Sequence, residues 1–139
     1  MKPKILKKKL IKNINGDILK FINNKDKNFI KFGEIYFSFI NKNKIKAWKY
    51  NSNNFANLIF PVGRVLTVIY DKNKKLIIEQ ILTQKDYNSL YLPPNYYYGF
   101  MGLDKQNMIV NLIDKNYSFK NQKKIDLNFF DFNWNKYKS

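Results

Sequence analysis

The run Gly33 to Ile40, GEIYFSFI, places Ile35, Phe37 and Phe39 on one side and Tyr36 and Ser38 on the other. That two-residue period predicts a half-buried strand. LIFPVGRVLTVIYD contains two apolar runs broken by Pro61-Val62-Gly63, and β-branched residues dominate the second, Val65 to Tyr70. The pattern predicts strand, turn, strand. The polar stretch Asp71-Lys72-Asn73-Lys74 predicts a hairpin loop, and LIIEQIL, Leu76 to Leu82, the strand that returns from it. SLYLP and MIVNLID (Met108 to Asp114) predict two further strands, and Asn15-Gly16 before DILKFI a turn feeding a strand near the N-terminus. The segment IKAWKYNSNN, Ile45 to Asn54, reads as a stretch between strands that presents its side chains. No stretch carries a helical stripe over three turns. Many short strands at near-regular spacing predict an all-β sandwich or barrel. The tail from Asn116 is polar and then aromatic, and FFDFNW is expected to pin it through Phe129, Phe130 and Trp134.

Composition narrows this picture. With 139 residues, 45% hydrophobic and 17% aromatic, the chain suits a single packed domain. The expected division is an N-terminal strand segment to about residue 32, a barrel core over about 33–115 and the tail from about 116. No apolar run approaches the roughly 20 residues of a membrane-spanning helix, and MKPKILKKKL lacks a secretory apolar core. A cytoplasmic protein without membrane contact is expected. Zero cysteine removes disulfides and thiolate chemistry, and zero histidine removes the commonest acid/base group near neutrality and the commonest transition-metal ligand. The acids Asp17, Glu34, Asp71, Glu79 and Asp86 are dispersed, so neither a metal nor another cofactor is expected.

The net charge of +16 points toward nucleic acid until its make-up is considered. Arg64 is the one arginine among 26 basic residues, so the bidentate fork for bases and phosphates is nearly absent. Lysines are spread along the chain, and the one dense cluster, Lys7-Lys8-Lys9, reads as a solvated edge. Specific nucleic-acid binding is not expected.

Six segments in order resemble the short members of the dTDP-4-dehydrorhamnose 3,5-epimerase family of cupins. They are NGDILKFI, FGEIYFSFI, IKAWKYN, NLIFPVGRVLTVIYD, LPPNYYYGFMGL and IDLNFFDFNW. The resemblance implies a double-stranded β-helix, a jelly-roll barrel, usually a homodimer, that holds a nucleotide-linked sugar, most often a dTDP-sugar, in the making of deoxysugars for surface polysaccharides. It also implies a reaction. A ketone acidifies the protons on the flanking carbons, so a base removes one and an acid returns a proton to the opposite face. In the family, a histidine in the segment matching IKAWKYN is the base, and a tyrosine in a later strand is the acid.

This chain departs from that pattern. Where relatives carry Trp-His-x-His it reads Trp48-Lys49-Tyr50-Asn51, and the strand matching the tyrosine offers Val110 and Asn111. Lys49 therefore has two functional readings: a base whose ammonium is desolvated in an apolar barrel, or a cation that holds a phosphate or sugar oxygen. In Pro93-Pro94-Asn95-Tyr96-Tyr97-Tyr98-Gly99-Phe100 the alternation puts Tyr96 and Tyr98 on one face and Tyr97 on the other. Tyr98 is the expected acid, and Tyr96 an expected ring contact for a base or sugar. Asn51, Asn57 and Asn111 are expected to bond sugar hydroxyls, and Arg64 a diphosphate. Two functions follow: an epimerase with a rearranged acid/base set, or a non-catalytic cupin that binds a sugar nucleotide or a partner.

Overall fold

The computed structural model describes residues 1–116 and 122–139, so residues 117–121 of the expected tail lie outside the described residues. In chain order the strands are β1 (Lys4–Lys7), β2 (Leu10–Ile11), β3 (Ile18–Leu19), β4 (Glu34–Phe39), β5 (Ile45–Asn51), β6 (Ala56–Val62), β7 (Arg64–Tyr70), β8 (Leu76–Thr83), β9 (Asn88–Leu92), β10 (Tyr96–Gly102), β11 (Met108–Ile113) and β12 (Gln122–Lys124). Two five-stranded sheets face each other, ordered β1-β9-β6-β11-β4 and β12-β5-β10-β7-β8, and β2 with β3 forms a small hairpin outside them. Among the described residues, every ladder between these strands is antiparallel. Helix is confined, among the described residues, to the short 3-10 turns Leu127–Phe129 and Trp134–Tyr137. The all-β expectation is met.

Period-2 geometry splits each strand between an inner and an outer face. Leu58 and Phe60 of β6, Leu90 and Leu92 of β9, and Ile109 and Ile113 of β11 meet Val65, Ile69, Leu82, Tyr98 and Phe100 between the sheets. The intervening residues are covered as well. Leu66, Val68, Tyr70 and Met101 pack with Trp48 against Phe130 and Trp134 of the tail, and Ile59 and Val110 pack against Leu10, Leu19 and Phe21 of the N-terminal segment. Covering on both sides explains why Val65 to Tyr70 is one continuous apolar run. Gly63, at φ +80°, makes the turn into β7, where a Cβ would sit 2.2 Å from the Gln106 carbonyl oxygen.

One expectation gains a direction and one needs correction. The alternation of β4 holds, but its apolar members face away from the core: Ile35, Phe37 and Phe39 are 45%, 59% and 67% exposed, while Tyr36 and Ser38 turn toward the barrel. β4 is an edge strand, and among the described residues no element covers its outer face. Ile45 to Asn51, expected as a stretch between strands, is itself the strand β5, paired with β10 and β12. Its pattern was masked by a bulge. Tyr98 lies opposite Lys49 and Phe100 opposite Lys46, so three steps on β5 match two on β10. Gly99 stands at the centre of the bulge, where a Cβ would approach the Ala47 Cβ to 2.6 Å and the Trp48 ring to 3.0 Å. The bulge turns both Lys46 and Lys49 inward.

The tail is fastened by polar contacts as well as rings. Trp48 Nε1 donates to the Leu127 carbonyl at 3.0 Å, and Ile125 N donates to the Trp48 carbonyl at 2.8 Å. Lys136 pairs with Glu79 at 2.8 Å, and the Tyr137 hydroxyl donates to the same carboxylate. These two partners hold the Glu79 carboxyl below its ordinary value, and the shared hydrogen bond pushes the Tyr137 phenol up to about 12.

Candidate functional site

Between the sheets, the strands β4, β5, β6, β10 and β11 enclose a cavity of about 40 Å³ lined by Tyr36, Ser38, Lys46, Lys49, Leu58, Tyr98, Phe100, Ile109 and Asn111. That is room for a water or a single functional group, and less than a sugar ring needs. Its walls come from opposite sheets. Lys49 and Tyr98 are Cα partners in the β5–β10 ladder, whereas Tyr36 and Asn111 are Cα partners in the β4–β11 ladder across from them. Of the residues expected from the sequence, Lys49, Tyr98 and Asn111 meet here.

Lys49 is half-buried, and burial pushes its ammonium below the ordinary lysine value, with the charges of Lys46 and Lys124 acting in the same direction. The ion pairs of the described residues, Lys8–Asp26, Lys12–Asp17, Arg64–Asp104 and Lys136–Glu79, do not include it. A desolvated amine among like charges is more readily a free base or an anion's partner than a surface lysine is. Lys46 Nζ donates to the Ser38 hydroxyl at 2.9 Å and to the Phe39 carbonyl at 2.6 Å, which draws a second cation to the mouth. The Asn111 amide donates to the Tyr36 hydroxyl at 2.8 Å. Its carbonyl Oδ1 is buried without a hydrogen-bond partner, on a residue that lines the cavity.

The other expected residues lie elsewhere. Asn51 is buried, but its amide closes a local turn: Oδ1 accepts from the Asn53 and Asn54 amides at 3.0 Å, and Nδ2 donates to the Asn54 carbonyl at 2.8 Å. Asn57 exchanges side-chain hydrogen bonds with Asn28, Nδ2 donating to that residue's carbonyl at 3.0 Å. Arg64 pairs with Asp104 at 2.8 Å and borders an outer cleft with Lys12, Asp17 and Lys85. Tyr96 does share the inner face with Tyr98, but its hydroxyl donates to the Met1 carbonyl at 3.0 Å, beside a cleft lined by Asp71, Asn73 and Pro94.

Tyr36, Ser38 and Lys46 also line the cavity and were not expected from the sequence. For Tyr36 and Ser38 a signal existed, since they are the polar members of an alternating strand. For Lys46 there was none short of the bulge. Among the described residues, no three of His, Cys, Asp and Glu gather in a group that could hold a metal ion. No helix of the described residues is long and apolar enough to cross a membrane.

No family model matches the sequence, and no curated protein matches it. Solved structures do. The dTDP sugar isomerase of Desulfovibrio desulfuricans superposes with a TM-score of 0.87 at 27% identity, over 96% of this chain and 90% of that one. The dTDP-4-dehydrorhamnose 3,5-epimerase of Bacillus anthracis, solved with TDP and pyrophosphate bound, gives 0.79 at 19% identity, over 91% and 79%. The epimerase of Sulfolobus tokodaii gives 0.81 at 19% identity, over 94% and 80%. In fold, this chain is similar to the cupins represented by the dTDP-4-dehydrorhamnose 3,5-epimerases and the dTDP sugar isomerase.

Proposed function

We propose that the chain binds a nucleotide-linked 4-keto sugar, most simply a dTDP-sugar, at the mouth of the barrel and inverts a carbon beside the ketone, as a step in making a deoxysugar. The observation that carries this reading is the likeness to a dTDP sugar isomerase over 96% of the chain. The site chemistry supports it. Lys49, as free amine, removes the proton from the carbon next to the ketone, and the electron pair moves into the carbonyl to give an enolate. The cation of Lys46 offsets the developing negative charge. A phenol of the lining then returns a proton to that carbon; Tyr98, expected from the sequence, and Tyr36 both border the cavity. The diphosphate sits with Lys124, whose charge already bears on Lys49. To admit the ring, the flexible Lys46 and Lys49 side chains swing aside, since strand backbone does not.

The small size of the cavity favours a second reading, in which the same mouth holds the nucleotide sugar without turning it over. Titration with dTDP and then with dTDP-4-keto-6-deoxyglucose, followed by protein amide NMR, tests the binding common to both. Shifts on β4, β5, β10 and β11 are the expected outcome; shifts confined to surface lysines, or none, would remove the sugar nucleotide from consideration.

We place the protein in the cytoplasm, where a nucleotide-linked substrate suits a chain without cysteine. A homodimer belongs to this proposal. Ile35, Phe37 and Phe39 form an exposed apolar row on the edge strand β4, next to Phe32 at 65% exposure, and such an edge is normally covered. Phe37→Glu is expected to convert a sedimenting dimer to monomer at the same concentration. A wild-type monomer at about 100 μM, far above common dimer dissociation constants, would contradict it.

A further inference from the structure

We propose that Tyr36, a residue the sequence did not single out, delivers the returning proton, with Asn111 as its positioning residue. This rests on the epimerase reading of the cavity and names its acid. Inversion requires that the proton leave one face of the carbon and arrive on the other, so base and acid must stand on opposite sides of the substrate. Lys49 and Tyr98 do not: they are neighbours in one ladder of one sheet, and approach from the same wall. Tyr36 stands on the facing sheet and lines the same cavity.

Its surroundings suit the task. The Asn111 amide donates to the Tyr36 hydroxyl oxygen at 2.8 Å, which fixes the ring and stabilises that oxygen once the proton has gone. Two residues along the same face, Ser38 holds the Lys46 ammonium at 2.9 Å, so a cation attends the same wall. The unpartnered Asn111 Oδ1, on a residue 8% exposed, is available to a sugar hydroxyl and so registers the substrate against the phenol. The step balances: the Tyr36 O–H bond breaks, a C–H bond forms on the far face, the enolate electrons supply it, and the tyrosinate regains its proton from solvent as the lysine ammonium releases its own.

The test separates proton removal from inversion. Wild-type and variant chains are incubated with dTDP-4-keto-6-deoxyglucose in deuterated water, and NMR follows both the loss of the signals beside the ketone and the appearance of inverted sugar. Tyr36→Phe is expected to keep wash-out within about threefold, because Lys49 exchanges its own protons with solvent, while inverted product falls by about 100-fold or more. Asn111→Ala shifts the ratio the same way by a smaller factor. Tyr98→Phe lowers both together and leaves the ratio unchanged. Inversion at the wild-type rate in Tyr36→Phe, or parallel loss of wash-out and inversion in a variant that melts like wild type, overturns the assignment. Should Tyr36→Phe not fold, an unchanged ratio in Asn111→Ala overturns it. Absence of wash-out in the wild-type chain overturns the epimerase reading itself, and this assignment with it.

Discussion

Trp48→Ala lowers stability by about 3–5 kcal/mol, the loss expected for a fully buried aromatic. The indole is 0% exposed and meets Tyr70, Phe130, Phe132 and Trp134 at ring separations of 5.4, 4.9, 6.4 and 5.3 Å. Its Nε1 also holds the Leu127 carbonyl at 3.0 Å, so the substitution leaves a cavity and detaches the tail in one step. The functional consequence follows from chain adjacency. Trp48 is seated in the outer cluster and Lys49 in the cavity, so the indole fixes the strand that aims the lysine inward. Urea unfolding checks the magnitude, with Ile14→Ala as the contrast: Ile14 is 101% exposed, and its loss changes stability by no more than about 0.5 kcal/mol. A Trp48→Ala loss below about 1 kcal/mol would mean that the tail is not held through this ring.

Lys49→Met is expected to reduce proton wash-out by about 10²–10⁴-fold, the usual contribution of a positioned base. The same substitution raises the melting temperature by about 2–4 °C, because methionine fills the volume without a charge to desolvate. The pH dependence has a definite sign. The folded chain holds Lys49 below its ordinary value of 10.5, so between the two values the unfolded chain binds more protons and stability rises with pH. Below the lowered value the deficit is fully present; the methionine variant lacks this rise. Wash-out by wild type climbs with pH in the same direction as free amine accumulates, with a midpoint below that of an exposed lysine. An activity lost with no gain in stability would point to a lysine that holds an anion in water-like surroundings.

Much of this architecture is legible in the chain. Val65 to Tyr70 and Met108 to Ile113 announce themselves by β-branched and apolar runs, and the Tyr96-Tyr97-Tyr98 alternation separates Tyr97 from its neighbours as its spacing indicates, its ring meeting Phe129 and Phe130. What the chain hides depends on distant partners. The inward sense of Tyr36 and Ser38 follows from the register of β4 against β11, which sets them opposite Asn111 and Ile109, and a period of two cannot tell which face meets the core. Lys46 reaches the cavity through a bulge set by Gly99, which lies far along the chain and shows its reason only when packed against Ala47 and Trp48. Asn51 and Asn57 look like ligand groups because an amide's partners are not written beside it; here they are the turn to Asn54 and the side chain and backbone carbonyl of Asn28. Arg64 finds its acid at Asp104 for the same reason. The site was readable where it depended on local alternation, and unreadable where it depended on register.

The most direct measurement is proton wash-out from dTDP-4-keto-6-deoxyglucose in deuterated water by the wild-type chain, with Lys49→Met beside it. The expected result is loss of the signals beside the ketone above the protein-free rate, removed by the substitution, with the sugar bound in both cases. Binding without wash-out would contradict catalysis and leave a cupin that holds its sugar nucleotide intact; wash-out undiminished in Lys49→Met would contradict the lysine as its base.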